Sequence, residues 1–417
     1  MNLRTYVCFL FGQRRAILAA AGARGLLGLG LLFVLSAGLA REYDAEDLLH
    51  EPWHLLLALG ASLAGSLLLY AVIRAVAWKH HVDGTTNGRG YQTFLGFYWL
   101  TAPLAWLYAI PFERFFAPLE AAQANLTLLA LVSVWRVLLI TRVASVWLGA
   151  PFWAMLMPVM LFADTVVLVL VGGQLLPHVM SAMGGIPPEG VDRWIGQVAG
   201  IVVMAAFWSW LIWFFGACIG TGAKRWTAAT VPEGHGVARG LWGLGIVALA
   251  VGGVSLFWTQ PEQRLRRQAE GLMAEGDLAG AVKLMSSHAR DEFPPSWNPP
   301  PRYDRWRPTG LDMLWAATRD PQSAAWVREL YLAKFQMELG EEVSFSRFFG
   351  EEKADRMLDL LEALPEGPQI VREHGAKLRE LVPSTPTAPR QDRLSKLFWA
   401  SEETGPSVPQ GASGAPP

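Results

Sequence analysis

Seven apolar stretches of membrane-crossing length constrain this chain more than any other feature. They occupy residues 22–40, 53–73, 94–110, 126–148, 152–174, 195–219 and 240–258. In a hydrocarbon core about 30 Å thick, no water is present to satisfy a backbone N–H or C=O, so a crossing segment of roughly 20 residues must be helical. The chain is therefore expected to be all-α, with a polytopic helical bundle of about seven transmembrane helices over 22–259, embedded in a lipid bilayer. The third stretch is the shortest, and Pro103 within it predicts a kink.

Charge is partitioned accordingly. Of 35 Lys/Arg and 36 Asp/Glu, residues 1–259 carry only 15 and 12, so most of the charge falls in 260–417 and marks that part as water-facing. A net charge of −1, with no aromatic-basic stripe, argues against nucleic acid as a partner. Two cysteines, Cys8 and Cys218, without a CxxC spacing, exclude a disulfide-stapled fold.

Residues 1–21 form a basic N-terminal segment. Arg4, Arg14, Arg15 and Arg24 precede or open the first stretch, and a basic region this long reads as an uncleaved signal-anchor. Counting Lys/Arg beside the stretches gives ten on the side of the N-terminus, including Arg74, Lys79, Arg89, Arg142, Lys224, Arg225 and Arg239. The other side has Arg41, Arg114 and Arg193. The positive-inside rule then puts the N-terminus inside, and seven crossings put the C-terminal region outside. Arg264, Arg266 and Arg267, directly after the last stretch, favour the opposite side. The expected location is a bacterial cytoplasmic (inner) membrane.

Small residues mark helix-packing faces. Gly196 and Gly200 stand in GxxxG spacing, and Gly245, Ala248, Gly252 and Ser255 share one side of the last stretch. Such residues let membrane helices approach closely, within one bundle or between two copies. Trp208, Trp210 and Trp213 near one end of the sixth stretch read as headgroup-level anchors.

Two candidate sites carry charge. Arg136 and Asp164 lie equally far from the Gly149-Ala150-Pro151 turn, so a helical hairpin there would bring them to one depth. A lone charge at that depth costs about 2.5–3.5 kcal/mol, and pairing is the expected remedy. The pair would be a structural ion pair, or a relay with Asp164 as carrier. The second site is the acidic segment 41–54, which contains His50-Glu51-Pro52-Trp53-His54. H-E-x-x-H on a helix places two imidazoles on one Zn²⁺ with the Glu activating water. Pro52 opposes that reading, because it disfavours helix at Glu51 and suits the first turn of a helix beginning beside it. Zinc on His50, Glu51 and His54 is thus weighed against a divalent-cation-binding acidic loop and a plain structural loop; no other cofactor is expected.

Beyond the last stretch, Ala269, Leu272, Gly276-Asp277, Ala281 and Met285 fall at spacings that resemble one tetratricopeptide-like helix hairpin, over 260–293. The resemblance covers about 34 residues, with no second copy, and implies that the hairpin must pack on another element. A Pro-rich linker follows over 294–310, then a small helical region over 311–382. Its core is expected from Trp315, Trp326, Leu330, Phe335, Phe345, Phe348, Met357, Leu360 and Leu361. Residues 383–417 read as a disordered tail in which 393–400 could form a short docking helix. No Gly-rich phosphate loop or nucleophile elbow is present. The leading reading is a non-catalytic scaffold or assembly protein of an envelope membrane complex, with a protein partner engaged through 260–400. The alternatives are a secondary transporter or ion-coupled permease using Arg136 and Asp164, and a membrane zinc metalloprotease. The sequence sets neither the oligomeric state nor a substrate.

Overall fold

The computed structural model describes residues 1–79, 88–173, 190–219, 226–232, 236–295, 297–300, 309–340, 351–381 and 388–403. Among them the regular structure is helical, apart from one isolated bridge between Arg24 and Gly236. Six helical segments are long and apolar enough to cross a membrane: Trp53–Trp78, Gly90–Arg114, Pro118–Leu148, Phe152–Val171, Trp194–Ala217 and Arg239–Glu275. The chain is an all-α polytopic membrane protein. The count differs from seven because the first stretch makes a helix of only 17 residues, about 26 Å long. Contacts divide the chain into two units, chiefly Met1–Val179 with Pro188–Leu265, and Arg266–Glu292 with Trp297–Pro417.

In the first unit, α1 (Leu3–Leu10) and α2 (Arg14–Ala21) are joined through Gly12, whose φ is +69°. Expected only as a basic flank, these residues bury Tyr6, Phe9, Ala16, Ile17 and Ala20 in the main core. Next come α3 (Leu26–Glu42), α4 (Trp53–Lys79) and α5 (Gly88–Leu100). At Thr101 the chain changes from α to 3₁₀ geometry, which runs over Ala102–Ala109 with Pro103 in its first turn. The expected kink is therefore a change of helix type: Pro103 has no N–H to give to an α ladder. The long hairpin is α6 (Pro118–Leu148) and α7 (Phe152–Val166), the latter continuing through a π turn over Val167–Val171. The unit closes with α8 (Gly190–Ile219) and α9 (Arg239–Glu275).

The short α3 lies among the others. Trp106 Nε1 donates to Ser36 Oγ at 2.9 Å, and Tyr43 Oη donates to Ala109 O at 3.0 Å. Along α9, Gly245 and Gly252 come so close to α3 that an added Cβ would meet Leu32 Cβ at 3.2 Å and Leu39 Cβ at 3.1 Å. Ala248 and Ser255 are half-buried between them, and Ser255 Oγ donates to Gly252 O. Gly196 and Gly200 on α8 have nothing within 4 Å of an added Cβ, so that GxxxG face packs against no described residue. Trp210 Nε1 donates to Thr165 Oγ1 at 3.0 Å, while Trp208 is exposed.

In the second unit, the far end of α9 and α10 (Leu278–Ser286) form a helical hairpin over the segment where one was expected. Gly276 adopts φ +86°, and Asp277 caps α10 by accepting from Gly280 N at 2.9 Å. Ala269, Met273, Ala281 and Met285 are buried. Their partners are α11 (Gly310–Arg319) and α12 (Ala325–Gly340). Tyr331 of α12 directs its hydroxyl at the sulfurs of Met273 and Met285, at 4.0 and 3.8 Å. The stripe α12 turns inward is Val327, Tyr331, Phe335 and Leu339, one position out of phase with the expected Trp326 and Leu330. Trp315 and Trp326 are only half-buried, with Arg319 over the Trp315 ring and the Trp326 N–H on His288 O. Amphipathic rings suit such a rim better than a dry core.

Part of the expected linker is packed. Trp297 is buried and donates to Glu270 Oε1 at 2.9 Å, and Lys334 reaches Asn298 Oδ1 at 2.7 Å. Helices α13 (Glu351–Ala363), α14 (Gly367–Glu373), α15 (Gly375–Leu381) and α16 (Ala388–Glu403) complete the unit, with Met357, Leu360 and Leu361 buried as expected. Phe345 and Phe348 lie outside the described residues. Within the expected tail, the short helix foreseen over 393–400 is part of a 16-residue helix over Ala388–Glu403. Arg390 chelates Asp355 with two bonds of 2.6 Å, and Arg393 joins Asp359 and Glu362 at 2.6 and 2.8 Å. These guanidinium bonds hold the Asp355 and Glu362 carboxyls below their ordinary range. Composition missed them because they depend on where a second helix places its carboxylates. The remainder of the tail, 404–417, lies outside the described residues.

The α6–α7 turn depends on Gly149. Its φ is +63°, and an added Cβ would stand 2.0 Å from Thr227 O. Gly149→Ala is expected to lower the melting temperature in detergent, with about 1–2 kcal/mol lost to the left-handed conformation alone. Gly200→Ala, at a helix position with no neighbour, should leave it unchanged or slightly raised. Equal melting of the two variants would contradict this account of the turn.

Candidate functional site

A dense polar arrangement among the described residues of the first unit is built on residues 43–54. After α3 the chain turns tightly: Glu46 N donates to Glu42 O at 3.1 Å, and Glu51 N to Asp47 O at 2.8 Å. Asp47 accepts from His50, both at its backbone N–H and at ring Nδ1, the latter 2.8 Å from Oδ2. Pro52 then stands just before α4 begins at Trp53. Lacking an N–H, it suits the first turn of a new helix and cannot continue an old one.

That break decides how H-E-x-x-H is used. His50 belongs to the turn and pairs with Asp47, while His54 belongs to the first turn of α4. The His54 Nε2 lies 3.5 Å from Glu51 Oε2 and 4.0 Å from Glu46 Oε2. The three side chains that converge are Glu46, Glu51 and His54, each offering one ligand atom within 4.8 Å of the others. The structure thus separates His50 from the expected trio and brings Glu46 in. Glu51 is buried at 8% exposure, and Glu46 and His54 are half-buried.

The turn is held by α9. Thr259, Gln260 and Gln263 are all buried. Thr259 Oγ1 donates to Tyr43 O at 2.7 Å. Gln260 Nε2 donates to Tyr43 O at 3.0 Å and Glu46 O at 3.1 Å, while its Oε1 accepts from Leu49 N at 3.2 Å. Gln263 Nε2 donates to Asp44 O. Nearby, Arg114 pairs with Glu262 at 2.8 Å, and Asn125 donates to Glu113. Burial, reinforced by the Glu113 charge, pushes the Asp44 carboxyl up to about 6. Thr259, Gln260 and Gln263 carry no motif that marks them in the sequence. Their only signal was the placement of two glutamines around Pro261, where the last apolar stretch ends.

The intramembrane charges take separate partners. Arg136 Nε donates to Thr101 Oγ1 at 3.1 Å, and its guanidinium lies 4.5 Å from the Tyr98 ring centre. Asp164 is buried and accepts from Ser209 Oγ at 2.6 Å. Among the described residues no ion pair joins Arg136 to Asp164. Equal depth in a hairpin fixes the level of two residues but not the direction they face. Here α6 turns Arg136 toward the α-to-3₁₀ junction, and α7 turns Asp164 toward α8.

No protein-family model, no curated protein and no solved structure matches the chain. Chemically, the converging trio of Glu46, Glu51 and His54 offers one imidazole and two carboxylates on a backbone fixed by side-chain amides. Gln260→Ala removes three bonds to the backbone of that turn. It is expected to destabilise the protein by about 1–3 kcal/mol for each buried group left unsatisfied, less any that recruits water. Amide hydrogen exchange should rise selectively over residues 43–51, and unchanged exchange there would refute the grip.

Proposed function

We propose that this chain is a non-catalytic membrane scaffold that presents a helical, water-facing region to a protein partner of an envelope complex. The observation that carries the reading is the folded second unit. The tetratricopeptide-like hairpin has its inner face filled by Tyr331 of α12, so it serves as part of a helical stack. Further along, the arginine-anchored α16 leaves Trp399 64% exposed. Large exposed aromatics are the side chains most enriched at the centres of protein interfaces. A photo-crosslinking residue at position 399 of the full chain, expressed in its native membrane, should trap one discrete protein partner. Trp399→Ala should weaken co-purification of that partner at least ten-fold. Only lipid adducts, or no adduct, would count against the reading.

The same proposal places the N-terminus inside a bacterial cytoplasmic membrane and the second unit outside. Support comes from the ten-to-three imbalance of Lys/Arg together with the short α3 acting as a seventh crossing. Paired inside-active and outside-active reporters fused after Arg290 and after Pro417 should both report the outside. An inside signal would mean that α3, or one of the six longer segments, does not cross.

A further inference from the structure

The geometry points to a divalent transition-metal site formed by Glu46, Glu51 and His54. Donor spacing is the first support. Ligands about 2.0–2.2 Å from a zinc ion stand roughly 3.3–3.6 Å apart in a tetrahedron. The 3.5 Å between His54 Nε2 and Glu51 Oε2 already has that value, the 4.0 Å to Glu46 Oε2 needs a few tenths of an ångström of closure, and the two carboxylate donors lie within 4.8 Å of each other. Charge is the second. Two carboxylates, one of them 8% exposed, converge with the His54 imidazole. A divalent cation matches the combined charge of two carboxylates and accepts the neutral imidazole nitrogen as a third donor.

Pre-organisation is the third support. Each ligand is fixed through its backbone or its element. The Glu46 carbonyl is held by Gln260, the Glu51 N–H by the Asp47 carbonyl, and His54 by the first turn of α4. His50 is committed to Asp47, so the site draws on Glu46 where the H-E-x-x-H reading would have used His50. One imidazole nitrogen with two carboxylates favours Zn²⁺, Mn²⁺ or Fe²⁺ over Ca²⁺ and Mg²⁺, which prefer all-oxygen shells. Three protein ligands leave at least one coordination position for water. Bound there, the ion would tie the residues after α3 to the start of α4, in the same turn that α9 grips by its carbonyls.

The test uses the full chain in detergent micelles, stripped with chelator and dialysed against Zn²⁺, with bound metal measured by elemental analysis. About one zinc per chain is expected for the wild type and for His50→Ala. Affinity should fall at least ten-fold for His54→Ala and for Glu46→Gln, two variants whose melting in the absence of metal shows whether they fold. As a readout independent of any variant, Co²⁺ added to the wild type should give visible absorption of a nitrogen–oxygen site in about 1:1 stoichiometry. Wild type without bound zinc, binding that survives both ligand variants, or binding lost in His50→Ala would overturn the assignment.

Discussion

A backbone polar group in an apolar medium must find a partner within the protein, and this requirement organises the membrane unit. Helices satisfy it wherever the chain runs regularly. At two of the places where regularity stops, side chains from elsewhere in the chain supply missing bonds. The last carbonyls of α1 and its turn are met by Trp135 Nε1 at Leu10 O and by Arg142 Nε at Gly12 O, at 2.9 and 3.3 Å. Where α3 ends, Thr259, Gln260 and Gln263 cover the carbonyls of Tyr43, Asp44 and Glu46.

Close packing follows a complementary logic. Lipid gives helices no hydrophobic reason to associate, so contact must come from shape. Gly245 and Gly252 let α9 approach α3, while Phe33 and Trp106 meet edge-on at 5.7 Å between centroids. The second unit follows the ordinary rules of water instead. It has a buried apolar stripe on α12, a Thr309–Asp312 capping box opening α11, and arginine–carboxylate clamps on α16.

Much of the architecture was legible in the sequence because length and apolarity are sufficient signals for a crossing helix. The Gly149-Ala150-Pro151 turn and the helix start at Pro52 were legible too, since glycine and proline act locally. Facing direction was not. The partners of Arg136 and Asp164 depend on azimuth, which position in a hairpin does not encode. Glu46 entered the candidate site because Pro52 broke the helix and turned His50 away, a consequence that becomes definite only once the turn is built. The glutamine grip and the full extent of the 388–403 helix depend on partners far along the chain, so local sequence showed only two glutamines beside Pro261 and a possible short helix over 393–400.

The central position of α3 has a consequence for biogenesis. This helix precedes the other membrane-length segments described, yet its neighbours include Trp99, Trp106 and the glycines of α9, the last of these made more than two hundred residues later. Until those arrive, α1 and α4 cover it in part, through Tyr6 on Phe33 and Ala58 beside Gly38, and its side toward α9 meets lipid or an insertion chaperone. That side is therefore the last to be enclosed. A chain interrupted before α9 would leave its own core segment as the exposed surface, marked for quality control by the residues that later become its interior.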